Sequence, residues 1–347
     1  MPQAKSEKQL SYTSSFYSPL RIGNVQLEGN IFLAPVAGYS DVVFRSLCAS
    51  EGATLTYTEM VSSEALVRSS KKTLSLMEKS DAEKCYAVQV FGSNAQTMSE
   101  AAKCIAETYT PAIIDVNAGC PMPKITKQGA GSALLETPHL LYDILKTLVK
   151  TMEAYNIPVT VKIRSGKSSS KMLWQEASKM AMDAGVAAIT LHPRTQVQCY
   201  SGMSSVELIG SLKEMAKNFD VKVFGSGDLF SPQDALNMFC KTACDGVMFA
   251  RGAMGNPFIF RQTRELLLKG SYNEVPLKEK IAMGLKELHL LSNIKGERLA
   301  CLEMRKRIMP YIKGVTKVAE IRKKLVQSFS IAEYEEILNK IGVEELN

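Results

Sequence analysis

The segment IIDVNAGCPMPK, residues 113–124, places the thiol of Cys120 in a position where it could take part in a reaction. An apolar run ends at Val116, and Asn117 and Cys120 follow within four residues. The run is typical of a buried strand, and the rest is typical of a tight loop at the strand's end. A cysteine in such a loop, with glycine before it and proline after it, could act as a nucleophile or a general acid. The alternative is a buried structural cysteine, the commonest fate of this residue type.

Three further polar side chains lie within or at the end of apolar runs: Gln89 in YAVQVF, Lys162 in PVTVKI and His192 in AAITLH. Burying a charge is costly without a partner, so this placement suggests a ligand site. Gln89 could pair with a flat heterocycle, Lys162 could stabilise negative charge on it, and His192 could donate to a ring carbonyl. For Lys162, an ion pair with Asp115 or Glu59 is the open alternative.

Two glycine-rich segments, GSGD (225–228) and ARGAMGNP (250–257), follow later apolar runs. Glycines let backbone N–H groups approach phosphate oxygens, and Arg251 could add positive charge. These segments favour a phosphate site over plain turns. A phosphate-tailed, electron-accepting heterocycle suggests flavin mononucleotide (FMN) as the ligand.

Eight short apolar, β-branched runs would position these side chains. The runs are residues 31–36, 53–60, 86–91, 112–117, 158–163, 187–192, 221–226 and 245–250. Helical patterns lie between most of them, for example at 94–108 and 170–185, with Asn94 and Ser231 as starts and Gly185 as a stop. This alternation predicts an α/β fold, a (β/α)8 TIM barrel over residues 19–268. An open doubly wound sheet is the alternative, but it would carry G-x-G-x-x-G where PVAGYSD stands.

The C-terminal part, residues 269–347, has a different pattern. From Leu277 onward four amphipathic segments are separated by Gly or Ser, which predicts an all-helical domain. Residues 278–325 contain 13 Lys/Arg and five acids, a net charge of +8, whereas the whole chain carries +7. On charge alone, a polyanion-binding surface and a solvated helix face are equally good interpretations.

The composition, 46% hydrophobic and 22% charged, is that of a folded globular protein. No apolar run approaches the roughly 20 residues of a membrane helix, and residues 1–18 are a polar lead-in without the core of a secretory signal, which predicts a cytoplasmic protein.

The eight cysteines are scattered, so free thiols are expected, and the pair at 240 and 244 fits one helix face better than a metal site. Only three histidines occur, and no metal is predicted.

Taken in order, the segments resemble one family. They are APVAGYSD, EMVSSEAL, VQVFGS, DVNAGCPMPK, GAGSALL, VTVKIRSG, LHPRTQ, GSGD and ARGAMGNPFIF. Each is weak alone, but the ordered set with N-x-G-C-P is highly specific, and the chain resembles the tRNA-dihydrouridine synthases over residues 19 to about 262. EMRKRIMPYIKG extends the likeness loosely into the tail. The resemblance implies reduction of the C5=C6 bond of a uridine in tRNA, with NADPH reducing FMN.

The resemblance also implies roles for individual residues. Cys120 would protonate C5 of the uracil after hydride reaches C6, and Asn117 and Arg194 would orient the uracil or nearby RNA. The FMN contacts would be Pro35, Val36, Ala37, Gln89, Lys162, His192, Ser226, Gly227, Asp228, Ala250 and Arg251. The family commonly has Met, Asn and Gly in place of Val36, Ser226 and Ala250. It has Gly in place of Pro193, whose ring removes an N–H and stiffens the loop.

The basic tail gains a role from the same resemblance. A base stacked inside folded tRNA must be extruded to be reduced, and a phosphate grip by Arg305, Lys306 and Arg307 would hold the RNA meanwhile. Like charges would repel across a symmetric contact, which predicts a monomer. Two other functions stay open: a flavin reductase of a small molecule, which would not need the tail, and a non-catalytic RNA-binding protein, which would not need Cys120, Lys162 and His192 together.

Overall fold

The computed structural model describes residues 16–68 and 70–344. Its first strands form an antiparallel hairpin, β1 (Leu20–Ile22) and β2 (Val25–Leu27), which the sequence analysis did not predict. Gly23 makes the turn with φ of +55°, a conformation that glycine adopts at little cost. Most of the predicted lead-in, residues 1–15, lies outside the described residues.

Eight parallel strands close into a barrel. The strands of this sheet are β3 (Ile31–Leu33), β4 (Leu55–Tyr57), β5 (Val61–Ser62), β6 (Tyr86–Phe91), β7 (Ile113–Ala118), β8 (Val159–Ser168), β9 (Lys171–Met172), β10 (Ala188–Thr195), β11 (Lys222–Ser226) and β12 (Gly246–Phe249). The short strands β5 and β9 are additions to the eight. Neighbours in the barrel follow chain order, and pairing of β12 with β3 closes the ring. The predicted TIM barrel is confirmed, and each of the eight apolar runs overlaps one barrel strand.

Helices cover the outside of the barrel. They are α1 (Val42–Ser50), α2 (Ser63–Val67), α3 (Lys71–Leu74), α4 (Ala95–Tyr109), α5 (Pro123–Thr126), α6 (Pro138–Glu153), α7 (Trp174–Ala184), α8 (Glu207–Met215), α9 (Pro232–Thr242) and α10 (Ile259–Lys269). The side chain of Asn94 caps α4, and Ser231 forms a capping box on α9. Gly185 ends α7 with φ of +91°. All three predicted helix boundaries are confirmed.

Two local predictions differ from the structure. The helical pattern at 170–185 becomes a helix only from Trp174, because β8 runs on to Ser168 and pairs with β9 in a hairpin. Cys240 and Cys244 do not share one helix face, because α9 ends at Thr242, and only Cys244 is buried.

Four helices follow the barrel: α11 (Leu277–Lys295), α12 (Glu297–Arg307), α13 (Val318–Gln327) and α14 (Ile331–Glu344). The predicted all-helical C-terminal region is confirmed, and the domain boundary at 268 stays a prediction. The helices have their own apolar core, which also takes in Val43 and Leu47 of α1. The helical domain therefore packs directly on the barrel. In the part of the chain that the structure describes, no helix is long and apolar enough to cross a membrane.

Candidate active site

A pocket of about 320 Å³ opens where the barrel strands reach their C-terminal ends. This rim is the usual place for the active site of a TIM barrel. Thirteen of the predicted site residues line the pocket: Pro35, Val36, Ala37, Gln89, Asn117, Cys120, Lys162, His192, Ser226, Gly227, Asp228, Ala250 and Arg251. The fold thus brings residues from seven barrel strands to one cavity.

The loop that carries Cys120 is fixed by hydrogen bonds from three directions. The side-chain oxygen of Asn117 accepts the N–H of Cys120 at 2.9 Å, and the Cys120 carbonyl accepts the N–H of Ser132 at 3.0 Å. Nε of Arg164 donates to the carbonyl of Gly119 at 2.8 Å. Burial raises the pKa of the Cys120 thiol above its ordinary value. The thiol is therefore protonated near neutral pH, in the form that can give up a proton.

A chain of hydrogen bonds leads from a buried carboxylate to this loop. Asp115 accepts from Thr160 Oγ1 at 2.6 Å and from Gln89 Nε2 at 2.7 Å, and Gln89 Oε1 accepts from Asn117 Nδ2 at 2.8 Å. An ionised carboxylate only accepts hydrogen bonds, so Asp115 fixes which way the amide of Gln89 points, and Gln89 in turn fixes Asn117. The oxygen of Asn117 is thereby turned toward the N–H of Cys120.

Replacing Asp115 by leucine is expected to lower the free energy of unfolding by at least about 2 kcal/mol, because two buried donors lose their acceptor. Asp115→Asn should cost less than half of that. Its oxygen can keep the Gln89 bond while the hydroxyl of Thr160 turns to accept from the new amide. Urea unfolding of both variants measures the difference. An equal loss in the two would contradict the role of Asp115 as an acceptor.

Lys162 points its charge into the pocket without an ion pair among the described residues. The proposed partners are engaged elsewhere: Asp115 accepts from Thr160 and Gln89, and Glu59 accepts the N–H of Gly38 at 2.6 Å. Burial, and then the charge of Arg164, lower the pKa of Lys162 to about 8, although the charge of Asp115 acts in the opposite direction. The ion-pair alternative is therefore not what the structure shows, and the ammonium is left for a ligand.

His192 is held neutral. Burial, and then the charge of Lys162 and three arginines, keep the pKa of this imidazole far below its usual range. A neutral imidazole can still donate one hydrogen bond. It can therefore contact a ligand carbonyl without adding charge.

The charge of the pocket suits an anionic ligand. Among the lining residues Asp228 is the sole acid, against the cations Lys162, Arg164 and Arg251. Arg251 pairs with Asp228 at 3.3 Å. At Gly227 φ is +112°, and an added Cβ would lie 2.8 Å from the ring of His192. The glycine therefore keeps open the space beside the positive wall, as a phosphate site requires.

Arg194 lies behind the pocket rather than on its wall. Its side chain is 2% exposed, and Nη1 pairs with Asp228 at 2.8 Å. In this position Arg194 supports Asp228, and the expectation that Arg194 orients the uracil or nearby RNA stays a prediction. The neighbouring Pro193, which has no N–H, lies where the pairing of β10 with β8 is irregular, between His192 and Thr195, and its carbonyl accepts the N–H of Ser205 at 3.0 Å.

The three basic residues of the helical domain point in different directions. Lys306 is exposed, and Nζ reaches the carbonyl of Gly38 at 2.8 Å. The guanidinium of Arg305 lies 4.7 Å from the ring centroid of Phe329. Arg307 is 2% exposed and buried in ion pairs, so it is not available to RNA, which corrects its assignment as an RNA contact.

Nine of the residues that line the pocket were not predicted from the sequence, and the three with the largest consequences for the site are Arg164, Tyr200 and Phe230. Arg164 lies in the segment RSG, which marked a strand end but gave no sign that this arginine clamps the Cys120 loop. Tyr200 and Phe230 stand at the pocket mouth, 52% and 51% exposed, with their ring centroids 5.0 and 5.1 Å from the guanidinium of Arg251. They belong to irregular loops, where hydrophobic periodicity carries no signal.

A closed barrel with a thiol, a lysine and a neutral histidine at its C-terminal rim defines a TIM-barrel enzyme. The family model for Dihydrouridine synthase (Dus) matches residues 32–345. A probable tRNA-dihydrouridine synthase of Treponema pallidum (strain Nichols) is 49% identical, covering 93% of this chain and 96% of that protein. The tRNA-dihydrouridine synthase B of Pasteurella multocida (strain Pm70) is 35% identical, with coverages of 85% and 87%. The chain belongs to the dihydrouridine synthase family, an oxidoreductase family, which confirms the resemblance.

Two solved structures are similar in fold. A 2-naphthoyl-CoA reductase complex superposes with a TM-score of 0.58 at 11% identity, covering 73% of this chain and 52% of that one. A histamine dehydrogenase from Rhizobium sp. 4-9 gives a TM-score of 0.57 at 14% identity, with coverages of 80% and 51%. This chain spans about half of each. At such identities the likeness supports the barrel fold alone.

Proposed function

We propose that this protein reduces the C5=C6 bond of uridines in tRNA to give dihydrouridine, with FMN reduced by NADPH and with Cys120 as the general acid. Family membership supports the reaction class. The observation that carries the proposal is the protonated thiol of Cys120, held in a fixed loop in the same pocket as Lys162 and His192. We further propose that the protein acts as a cytoplasmic monomer.

The pocket residues fit FMN by charge and by shape. The unpaired ammonium of Lys162, the amide of Gln89 and the neutral His192 suit the polar edge of a flavin ring. The segment Ser226–Asp228, with Ala250 and Arg251, would hold the phosphate, and Pro35, Val36 and Ala37 would line the ring. The chemistry that FMN would supply here, once reduced by NADPH, is a hydride for C6 of the uracil. Lys162 would stabilise negative charge at this site.

Cys120 would complete the reduction. Hydride addition at C6 leaves negative charge on C5 and the C4 carbonyl oxygen of the uracil. The S–H bond of Cys120 breaks, its proton forms the new C5–H bond, and the thiolate is reprotonated by solvent. The charge of Arg164 lowers the pKa of Cys120 although burial dominates, so Arg164 would stabilise the thiolate after transfer. Asn117 would hold the thiol's loop in place while this happens.

The tRNA would be gripped by the basic helical domain. Arg322, Lys323 and Lys324 on α13 are exposed, as is Lys306, which contacts the carbonyl of Gly38. Contacts of this kind bind phosphate without reading sequence, and they keep the RNA in place while the target base leaves its stack.

Changing Arg322, Lys323 and Lys324 together to glutamine is expected to weaken tRNA binding and to flatten its salt dependence. The slope of log K against log salt should fall in magnitude by up to about 2–3, because three phosphate contacts are lost. Filter binding at several salt concentrations measures the slope. A matched variant, with the exposed Lys103, Lys146 and Lys150 of the barrel helices changed to glutamine, should leave it unchanged. Equal slopes in the two triple variants would exclude α13 from the RNA surface.

The proposed function is tested by incubating the purified protein with NADPH and tRNA that lacks dihydrouridine. Mass spectrometry of the digested RNA should show uridines that have gained two hydrogens, and the protein should release FMN on denaturation. NADPH oxidation by a flavin-containing protein without any change in the RNA would favour the small-molecule reductase. Binding of tRNA without flavin or NADPH oxidation would favour the RNA-binding protein.

A further inference from the structure

Arg307 joins the helical domain to a loop that lines the pocket. Nη1 donates to Glu287 Oε1 at 2.8 Å, and Nη2 donates to Asp41 Oδ2 at 2.6 Å. The guanidinium also lies 4.7 Å from the ring centroid of Tyr39. Arg307 and Glu287 belong to helices α12 and α11, whereas Tyr39 and Asp41 belong to the loop after β3. One buried cation thus bridges two parts of the molecule.

The loop of residues 35–41 is held firmly at its far end. Asp41 Oδ1 accepts the N–H of Phe44 and caps α1 while Oδ2 binds Arg307. The carbonyl of Val36 accepts the N–H groups of Tyr39 and Ser40 at 3.0 and 2.9 Å. A displacement of Asp41 would therefore be passed through this turn to Val36, on the pocket wall.

Gly38, in the middle of the same loop, is fixed from both sides. Its N–H donates to Glu59 of the barrel, and its carbonyl accepts from Lys306 of α12. The segment of residues 250–257, which contributes Ala250 and Arg251 to the pocket, meets the same stretch of the helical domain. A Cβ added to Gly255 would lie 2.5 Å from Pro310 Cβ and 3.4 Å from the carbonyl oxygen of Arg307. Residues 306–310 therefore contact two of the segments that contribute residues to the proposed FMN site, the loop of residues 35–41 and residues 250–257.

We propose that Arg307 is a positioning residue for the reaction. It holds the loop of residues 35–41 in a fixed position relative to the helical domain. A tRNA gripped by that domain is thereby presented to a cofactor pocket of constant geometry. This inference rests on the proposed function, and it replaces the RNA contact that the sequence suggested for Arg307.

The chemistry of the contact indicates that Arg307 fixes the position of the loop and does not mainly add stability. A buried ion pair adds little net stability compared with apolar packing of the same shape, so stability alone does not explain the choice of arginine. The planar guanidinium can bind two carboxylates in fixed directions, and lysine cannot reproduce this. Arg307→Lys keeps the positive charge but loses the second nitrogen that lets one side chain bind Asp41 and Glu287 together. Lys295 of α11 also pairs with Asp41, at 3.5 Å, so the variant changes the geometry of the contact and not its charge.

The test compares Arg307→Lys with a matched variant of a second ion pair between the same two parts. Arg261 of α10 pairs with Glu279 of α11 at 2.8 Å and with Glu51 at 3.5 Å, and none of these residues belongs to the 35–41 loop. For Arg307→Lys we expect kcat for uridine reduction to fall about tenfold, with KM for tRNA within about twofold of wild type. The FMN dissociation constant should rise and the flavin absorption band should shift. Arg261→Lys should leave all four quantities unchanged.

A second variant, Asp41→Asn, distinguishes a change in the position of the loop from misfolding of Arg307→Lys. Asp41→Asn keeps an oxygen to cap α1 but removes the charge that binds Arg307, so it should reproduce the fall in kcat. The inference is overturned if both variants only lower the melting temperature, or if Arg261→Lys behaves like Arg307→Lys. If the wild-type protein neither binds FMN nor reduces uridine, the proposed function fails and the inference fails with it. If the wild type is active and Arg307→Lys matches it, only the inference fails.

Discussion

Replacing Cys120 by alanine is expected to lower kcat for uridine reduction by at least about a hundredfold, because general acid catalysis typically contributes that much or more. The buried thiol is protonated near neutral pH, and its sulfur has a hydrogen bond with the backbone of Met122. The Asn117, Ser132 and Arg164 contacts reach the backbone of the loop and do not depend on the sulfur. The loop should therefore keep its shape. Bound FMN and its reduction by NADPH should persist, as measured by flavin absorbance under anaerobic conditions.

Two comparisons make the result specific. Cys104→Ala removes an exposed thiol from the outer helix α4 and should have no effect. Cys120→Ser keeps a small hydroxyl of much higher pKa at the same place, so it should be impaired nearly as much as alanine. Loss of FMN binding or of folding in Cys120→Ala would show instead that Cys120 is structural.

Replacing Lys162 by methionine should impair both cofactor binding and catalysis. The ammonium of Lys162 lines the pocket and has no ion pair among the described residues. Removing one electrostatic group of this kind typically costs about 10²–10³ in kcat. We expect FMN affinity to fall at least about tenfold and uridine reduction at least about a hundredfold. Fluorescence titration of FMN and single-turnover reduction of tRNA measure the two effects.

The pH dependence of FMN affinity distinguishes the effect of the charge on Lys162 from the effect of its shape. The pKa of Lys162 is about 8, so the side chain is cationic below pH 8 and becomes neutral above it. FMN affinity of the wild type should therefore decrease as pH rises through about 8, and this dependence should be absent in Lys162→Met. Lys167→Met removes an exposed lysine of the same strand, paired with Glu136, and should retain the wild-type pH profile. A pH profile in Lys162→Met identical to that of the wild type would contradict the assignment.

The barrel could be predicted from the sequence because its signals are local. Each buried parallel strand appears as a short apolar run, and caps such as Asn94 and Ser231 mark the helices between them. The hairpin of β1 and β2 was missed because strands of three residues are too short to show a period. The start of α7 was misplaced because pairing of β9 with the end of β8 is a tertiary contact that helical spacing does not reveal.

The pocket could be predicted in part for the same reason. Polar residues at the ends of parallel strands must meet at one rim, which is why Gln89, Lys162 and His192 were found without a structure. The run Arg305-Lys306-Arg307 shows the limit. Successive residues of an α-helix point about 100° apart, so three neighbours cannot all face one ligand, and the sequence does not say which of them faces inward. Only the packing of α12 on the barrel decides that it is Arg307.

Strand β8 carries both Lys162, which faces the proposed ring site, and Arg164, which clamps the loop of the thiol. In a strand, residues two apart project from the same face at a separation set by the covalent backbone, so these two side chains cannot drift independently. A thermal fluctuation of the barrel or a small shift of neighbouring strands would therefore move Lys162 and Arg164 together. The cation at the proposed ring site and the arginine that holds the loop of the proton donor would keep their relative positions. Only two peptide bonds separate Lys162 from Arg164, so the backbone itself sets their alignment. A single-residue insertion between them should lower the rate of uridine reduction far more than an insertion elsewhere in β8.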